Sequence, residues 1–547
     1  MTASAVRTER ALRPPATGTL TGVGTMLRLV VRRNRVRLAV WWIVLVGLLA
    51  YVGAYYKTLF TTQAALNDFA AVSNTPAIKA LTGLAAVPNT LGGAVWTKIW
   101  MTCALTLAFG VVFLVTRSGR ADEEVGRTEL LRSRMLGRDA YSVASWLVNV
   151  ALCVAVGAGI ALASAASGLD PAGAGIAGSL VLGASVTGVG LVAIGVGAVA
   201  GQVTATSRGA NALGSVVLGV FYLLRMVGDL GDGRLTWVSP IGWGQEMAPW
   251  GANRWWPLIG LVALAGVLLA VAARLEDRRD LGAGMLPDRP GPAGAPARYA
   301  TPLGLALRLQ RGPIIGWSVT IVLCALMFGS VVQSMTNLLH DAGSTATSVI
   351  GGTTVDALLS LLVLVIALVT TVFALQSVTS LRADEASGIV EPQLAGALSR
   401  TRWAVQRLLI PGVGTAVLLL VGGAFTGASY GSIIGDPGQT GRLALAALAY
   451  WPAVMVLVGV AVALFGWLPR FAIPLTWGVL SAMWFIVLIG DALHLPDWLL
   501  NALPFSATPH VPLVPLEWTP LVVMTLVAVG LVWTGLDRFA RRDVQPG

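Results

Sequence analysis

The sequence predicts an all-α polytopic membrane protein of about twelve transmembrane helices, arranged as two parallel six-helix repeats. Three observations predict it. Of the 547 residues, 56% are hydrophobic and 12% charged, and the mean hydropathy is +0.76. A soluble domain carries roughly twice that charged fraction, so a soluble multidomain enzyme is excluded. About twelve apolar runs are long enough to cross roughly 30 Å of hydrocarbon. Short charged motifs also recur in the two halves of the chain at nearly one offset.

In the first half the apolar runs are roughly 38–56, 94–116, 140–166, 176–201, 210–228 and 257–273. In the second half they are roughly 313–333, 356–380, 404–428, 442–467, 471–490 and 518–536. The fourth run contains Gly183, Gly188, Gly190, Gly195 and Gly197. Such glycines weaken a soluble helix but allow close helix–helix approach in a membrane. Cys103, Cys153 and Cys324 all fall inside apolar runs, without metal-ligand spacing, and read as small core residues.

The formal charge of +11 rests on arginine, since Lys57, Lys79 and Lys98 are the only lysines. The arginines lie in short loops between apolar runs, so the basic balance points to membrane orientation and not to nucleic acid. Arg28, Arg32, Arg33, Arg35 and Arg37 precede the first span, and Arg117, Arg120, Arg127, Arg132, Arg134 and Arg138 follow the second. Arg208 follows the fourth span, and Arg274, Arg278 and Arg279 close the sixth. The alternate loops carry Asp170, Asp229, Asp232 and Glu246 instead. The second half repeats the pattern, so a multi-pass protein of the cell membrane with both termini cytoplasmic is expected.

The duplication is explicit. Arg120-Ala121-Asp122-Glu123 returns as Arg382-Ala383-Asp384-Glu385, 262 positions later. The same offset joins Gly126 to Gly388, Glu129 to Glu391, Arg138 to Arg400 and Asp229 to Asp491. Pro240 matches Pro504 at 264, and Arg278-Arg279-Asp280 matches Arg541-Arg542-Asp543 at 263. Leu27-Arg28-Leu29 resembles Leu307-Arg308-Leu309 at 280, which predicts a first outer loop (about 57–93) longer than its partner (about 334–355). Six spans per repeat give both halves the same orientation, related by a pseudo-two-fold axis along the membrane normal, with any pore on that axis lined by both repeats. The expected divisions are a cytoplasmic N-terminus 1–37, a first repeat 38–280, a Gly/Pro/Ala linker 281–300 and a second repeat 301–547. Within 1–37, the segment Gly22–Arg37 reads as an amphipathic interfacial helix carrying Arg28, Arg32 and Arg33.

The loop Arg117–Arg138 sets Asp122, Glu123, Glu124 and Glu129 against its arginines. Glu123, Gly126 and Glu129, like Glu385, Gly388 and Glu391, are three apart, which on a helix places them along one face. Orientation needs only arginine, so a repeated acidic face suggests docking to a cationic partner surface. The plainer alternative is a solvated amphipathic helix whose charges pair internally. Arg225 and Asp229 are spaced to pair at the outer end of span five. The Pro-rich apolar segments 229–256 and 491–517 cannot form long helices and fit short re-entrant pieces.

Asp122-Glu123-Glu124-Val125-Gly126-Arg127-Thr128-Glu129-Leu130-Leu131, followed by Leu136-Gly137-Arg138, resembles the signature between the second and third spans of ABC-2 type exporter permeases. The second copy departs from it at Ile389, Val390, Pro392 and Ser399. The fused twelve-span form is similar to actinobacterial permeases for tetronasin resistance or multidrug export. The resemblance implies a type V exporter-like fold and two copies of a separate ABC ATPase, which would bind ATP and Mg in place of this chain. It assigns ATPase coupling to Asp122, Glu123, Gly126, Glu129, Arg138, Asp384, Glu385, Gly388, Glu391 and Arg400. It names Gly22–Arg37 the connecting helix and makes Asp229, Pro240, Asp491 and Pro504 parts of an outer gate. Closure of the ATPase dimer would rock the halves and carry hydrophobic or amphipathic compounds, drugs or lipids, out of the cell.

The sequence contains no Gly-x-x-x-x-Gly-Lys-(Ser/Thr) phosphate loop and no proposed catalytic set, so no enzymatic role, no metal site and no cofactor of its own is expected. Substrate-binding residues cannot be named from it. A proton-coupled secondary transporter of six-plus-six helices is the alternative. It lacks a carboxylate at the centre of a span and does not explain a repeated acidic loop.

Overall fold

The computed structural model describes residues 18–132, 136–170, 175–286, 294, 296, 299, 301–341, 344–396, 398–489 and 503–544. All regular elements among these are helical. Among the described residues eleven helices are long and apolar enough to cross a membrane, and a shorter apolar helix, Ala472–Trp484, occupies the place of the eleventh predicted run. The chain divides into two compact units, Met1–Pro290 and Gly291–Gly547.

In the first unit the spans are α1 (Val23–Leu59), α4 (Leu91–Arg117), α7 (Ala140–Ala166), α8 (Ala177–Val203), α9 (Ser207–Leu230) and α11 (Trp256–Arg278). Between α1 and α4 lie α2 (Gln63–Ser73) and α3 (Pro76–Thr82). Between α4 and α7 lie α5 (Arg120–Glu124) and α6 (Arg127–Arg132), and α10 (Pro240–Gln245) precedes α11. Helix starts are set by side-chain caps that satisfy otherwise orphaned N–H groups. Thr90 Oγ1 accepts from Gly93 N at 3.1 Å to begin α4, and Thr206 Oγ1 accepts from Gly209 N at 3.1 Å to begin α9. Helices α4 and α8 are apolar on all sides and form the centre, while α1, α9 and α11 present much of their surface outward. Trp100 of α4 is fully buried and donates its indole N–H to Ser185 Oγ of α8 at 2.8 Å.

The glycines of α8 serve close approach, as their spacing suggests. At Gly157 of α7 and Gly183 of α8 the two backbones meet, and a Cβ on either residue would overlap the other's carbonyl oxygen. Thr187 Oγ1 crosses the same seam to Cys153 O at 3.2 Å. The three cysteines are free, with Cys103 and Cys153 buried and Cys324 half-buried.

The second unit contains α12 (Pro302–Asp341), α13 (Ser344–Ala386), α14 (Val390–Leu394), α15 (Arg400–Ile434), α16 (Gly438–Leu448), α17 (Trp451–Trp467), α18 (Ala472–Ile489) and α19 (Trp518–Arg541). Helices α16 and α17 together make one span, bent at Ala449–Tyr450. Its core gathers Phe373, Trp403, Tyr450, Phe505 and Phe539. At Gly466 and Gly535, α17 and α19 approach backbone to backbone.

Two boundaries differ from the sequence reading. The segment Gly22–Arg37 is not a separate interfacial helix, because α1 runs unbroken from Val23 to Leu59. Arginine is a good helix former and nothing between Arg37 and Leu38 breaks the helix. The partner of the first outer loop is shortened further than expected, since α12 and α13 extend to Asp341 and from Ser344.

Candidate functional site: the cytoplasmic loop clasps and the outer hairpin

The loop between α4 and α7 is not one helix with an acidic face. It is two short helices separated at Val125–Gly126, and Gly126 adopts φ +70°. In the second unit α13 ends at Ala386, and α14 begins at Val390 after Gly388 at φ +74°. A left-handed backbone costs a residue with a side chain but not glycine. The repeated glycine is therefore an elbow in both copies.

That elbow turns the carboxylates inward. Glu123 accepts from Arg279 Nη2 at 2.6 Å and Nη1 at 2.8 Å, and from Arg120 Nη1 at 2.7 Å. In the second unit Glu385 accepts from Arg542 Nη1 at 2.5 Å and Nη2 at 2.9 Å, with Arg382 Nη1 at 3.2 Å. Both are forked guanidinium–carboxylate pairs, whose geometry gives strength and orientation. Each ties the loop to the last turn of its own repeat's sixth span or the residue just beyond. Arg120 also donates to Ala205 O at 2.9 Å and Gly282 O at 2.8 Å. Arg542 lies over the rings of Phe465 and Phe539, 5.1 Å from each centroid.

The remaining loop residues complete two clasps. Arg138 Nη2 donates to Glu276 O at 2.9 Å, and Arg400 Nη1 donates to Ala540 O at 3.5 Å and to Arg542 O. These carbonyls lie in or just after the last turns of α11 and α19, where backbone acceptors lack helical partners and cations are favoured. Glu124 accepts from Ser207 N at 2.8 Å and caps the start of α9. Asp122 is buried against Arg33 of α1, Arg127 Nη1 at 3.0 Å and Tyr141 Oη at 2.5 Å. Its counterpart Asp384 pairs instead with Arg407 of α15. The first copy thus grips its first and third spans, through Arg33 and Tyr141, and the second copy its third through Arg407.

Asp122, Glu123, Arg138, Asp384, Glu385 and Arg400 thus all have partners within their own repeat. Burial of opposite charges with satisfied geometry explains why these residue types recur. Arg33 is likewise turned to Asp122, while Arg28 and Arg32 stay exposed. Glu129 and Glu391 alone among the predicted coupling carboxylates are exposed, beyond the elbows. Apolar side chains stand out beside them: Leu130 is 73% exposed, Val125 61% and Ile389 48%. Sequence reasoning missed Arg279, Arg542, Tyr141 and Arg407. The duplicated Arg278-Arg279-Asp280 and Arg541-Arg542-Asp543 were the signal that could have found the first two.

At the other end of the first unit, Arg225 and Asp229 do pair, at 3.2 Å and fully buried. Arg225 also donates to Lys79 O and Leu81 O, each at 3.5 Å, and to Ala80 O, capping the last turn of α3. Asp229 further accepts from Thr236 Oγ1 at 2.8 Å and Gln245 Nε2 at 3.1 Å. Pro240 occupies the first turn of α10, where its missing N–H costs nothing, and Ser239 caps that helix. The hairpin opens on a depression of about 380 Å³ lined by Asp229, Asp232, Trp237 and Glu246 among others. Burial raises the Glu246 carboxyl above its ordinary range, with Arg254 opposing the shift. In the second unit Pro504 accepts from Thr508 Oγ1 at 2.8 Å. Asp491 lies outside the described residues. Among the described residues no group of three or more His, Cys, Asp or Glu converges as metal ligands would.

Residues 299–540 match the family model of the C-terminal domain of the multidrug efflux system permease Rv1217c. The whole chain is similar to the multidrug efflux system permease protein Rv1217c of Mycobacterium tuberculosis, with 36% identity over 534 residues covering 96% of each chain. With the fold, the duplicated loop and near full-length similarity in agreement, the chain belongs to the Rv1217c family of multidrug efflux system permeases.

Proposed function

We propose that the chain is the membrane subunit of an ATP-driven exporter, moving hydrophobic or amphipathic compounds out of the cell. A separate ABC ATPase, in two copies, would bind ATP and Mg and hydrolyse the nucleotide. The carrying observation is the pair of clasped loops. Each loop is fixed to the last span of its repeat through Glu123–Arg279 or Glu385–Arg542, and each leaves an exposed apex at Glu129 or Glu391. A rigid base with a free tip can take up a partner's displacement and pass it into the helices.

The tips combine a carboxylate with apolar side chains, at Leu130 and Val125 in one and Ile389 in the other. That chemistry suits a groove with a cationic rim on an ATPase surface. The absence of a phosphate loop from the sequence supports a separate ATPase. The arginine distribution supports a cytoplasmic position for the loops and both termini. The substrate class follows the relative's multidrug efflux function and the low charge of the spans.

The test is co-purification of this chain with the ATPase encoded beside it, comparing wild type with Glu129→Arg and Glu391→Arg. Two ATPases per permease, reduced by the reversals while the permease stays folded, is the expected result. Drug efflux that proceeds without an ATPase and stops when the proton gradient is collapsed would overturn it.

A further inference from the structure

An apolar groove of about 320 Å³ runs between α1 and α7 in the first unit. Leu27, Val31, Leu38 and Trp42 form one wall, and Leu147 and Ala151 contribute to the other. The deep end is closed where the Trp42 indole donates to Ala155 O at 2.9 Å. The α1 residues from Val31 to Trp42 recur at helical spacing and define one stripe. Arg35 falls on that stripe, between Val31 and Leu38, and it is exposed. Arg32 and Arg28 lie about one and two turns earlier, respectively, and are also exposed. Among the described residues Arg28, Arg32 and Arg35 make no hydrogen bond or ion pair, whereas Arg33 is spent on Asp122.

We propose that this groove is a binding site for an anionic phospholipid. One acyl chain lies along Leu38, Trp42, Leu147 and Ala151, and the phosphate is held by Arg35 with Arg32 and Arg28. The stretch from Arg35 to Trp42 rises ~10 Å at 1.5 Å per residue, which fits within the ~15 Å depth of one leaflet's hydrocarbon. The charge is what selects the occupant. The second unit has a comparable apolar groove of about 290 Å³ between α17 and α19, lined by Met455 and Trp533 among others. The arginines in the last turn of α19 already have partners: Arg538 stacks 5.3 Å from the Trp467 ring centroid, and Arg541 pairs with Asp537 at 2.8 Å. Three unpaired guanidinium groups on one helix, as on α1, discriminate for negative headgroups more strongly than engaged ones.

The experiment is native mass spectrometry of the full permease in detergent, titrated with phosphatidylglycerol or phosphatidylcholine. The wild type is compared with the double variant Arg32→Gln/Arg35→Gln and with Ala151→Phe. The wild type should prefer phosphatidylglycerol. The double variant should lose about thirtyfold of that preference, the effect of two basic side chains at an anionic surface. Ala151→Phe, which fills the groove, should reduce retention of both lipids. Raising the salt should erode the wild-type preference but not that of the double variant. An undiminished phosphatidylglycerol preference in the double variant would overturn the proposal. Because Arg32 and Arg35 are exposed, their replacement leaves the fold intact and the reading stands even where Ala151→Phe fails to assemble.

Discussion

Arg279 closes on Glu123 with both terminal nitrogens, at 2.6 and 2.8 Å, across 156 residues of chain. Arg542 does the same to Glu385 across 157 residues. A loop that follows the second span is thereby tied to the residue just past the sixth. The two pairs are buried, so each guanidinium supplies the counter-charge and hydrogen bonds that water would otherwise give its carboxylate.

Removing one member should be costly. Glu123→Gln leaves Arg279 and Arg120 without their shared counter-charge and should destabilise the first repeat by ~3–5 kcal/mol. Glu123→Gln combined with Arg279→Leu should cost less than the sum of the singles. Thermal unfolding of the detergent-purified permease, set out as a double-mutant cycle, measures the coupling.

The elbows are a backbone requirement. Gly126→Ala and Gly388→Ala place a Cβ in open space, since nothing lies within 4 Å of either position. The penalty is conformational only, ~1–2 kcal/mol each. Asparagine, which tolerates the left-handed region, should cost less than alanine, and valine more. Unfolding midpoints of the three substitutions at one site give the order.

On the outer side, Arg225 holds three consecutive carbonyls of α3 as well as Asp229. Arg225→Lys keeps the charge but cannot present a fork to several acceptors at once. It should therefore rescue little of the loss in Arg225→Met. The region to watch is α3, whose last turn should become accessible to protease near Lys79 in both variants while wild type resists.

Orientation can be read chemically. In a Cys324→Ala background the remaining native thiols, Cys103 and Cys153, are buried. Asp232→Cys should then react with an impermeant maleimide added to intact cells. Glu391→Cys should react only after the membrane is opened. The reverse pattern would invert the topology.

The positions of the spans were legible because twenty consecutive apolar residues leave few alternatives. The third run coincides with α7, Ala140–Ala166, at both ends. The start of the first span was not legible. Its apolar run begins near Leu38, but helix formation does not stop where hydrophobicity does, and α1 begins at Val23. The candidate site was legible in its residues and not in their direction. Glu123 and Glu129 look alike in sequence, yet one is buried on Arg279 and the other is exposed. The difference arises at Gly126, whose positive φ ends the helical phase on which a shared acidic face depended. Asp122 and Asp384 are sequence equivalents and both reach the third span, at Tyr141 and Arg407, but the arginine partner of Asp122 sits on the first span, and no local pattern announces that.

Both jaws of each clasp come from the same half of the polypeptide. Cutting the chain after Pro290 would sever none of the bonds that Arg120, Glu123 and Arg279 make, nor those of Arg382, Glu385 and Arg542. Each half of the polypeptide thus carries a complete clasp of its own. The two clasps share their buried pairs and differ beyond the elbow, where the second has Ile389, Val390 and Pro392 at the positions of Arg127, Thr128 and Leu130 in the first.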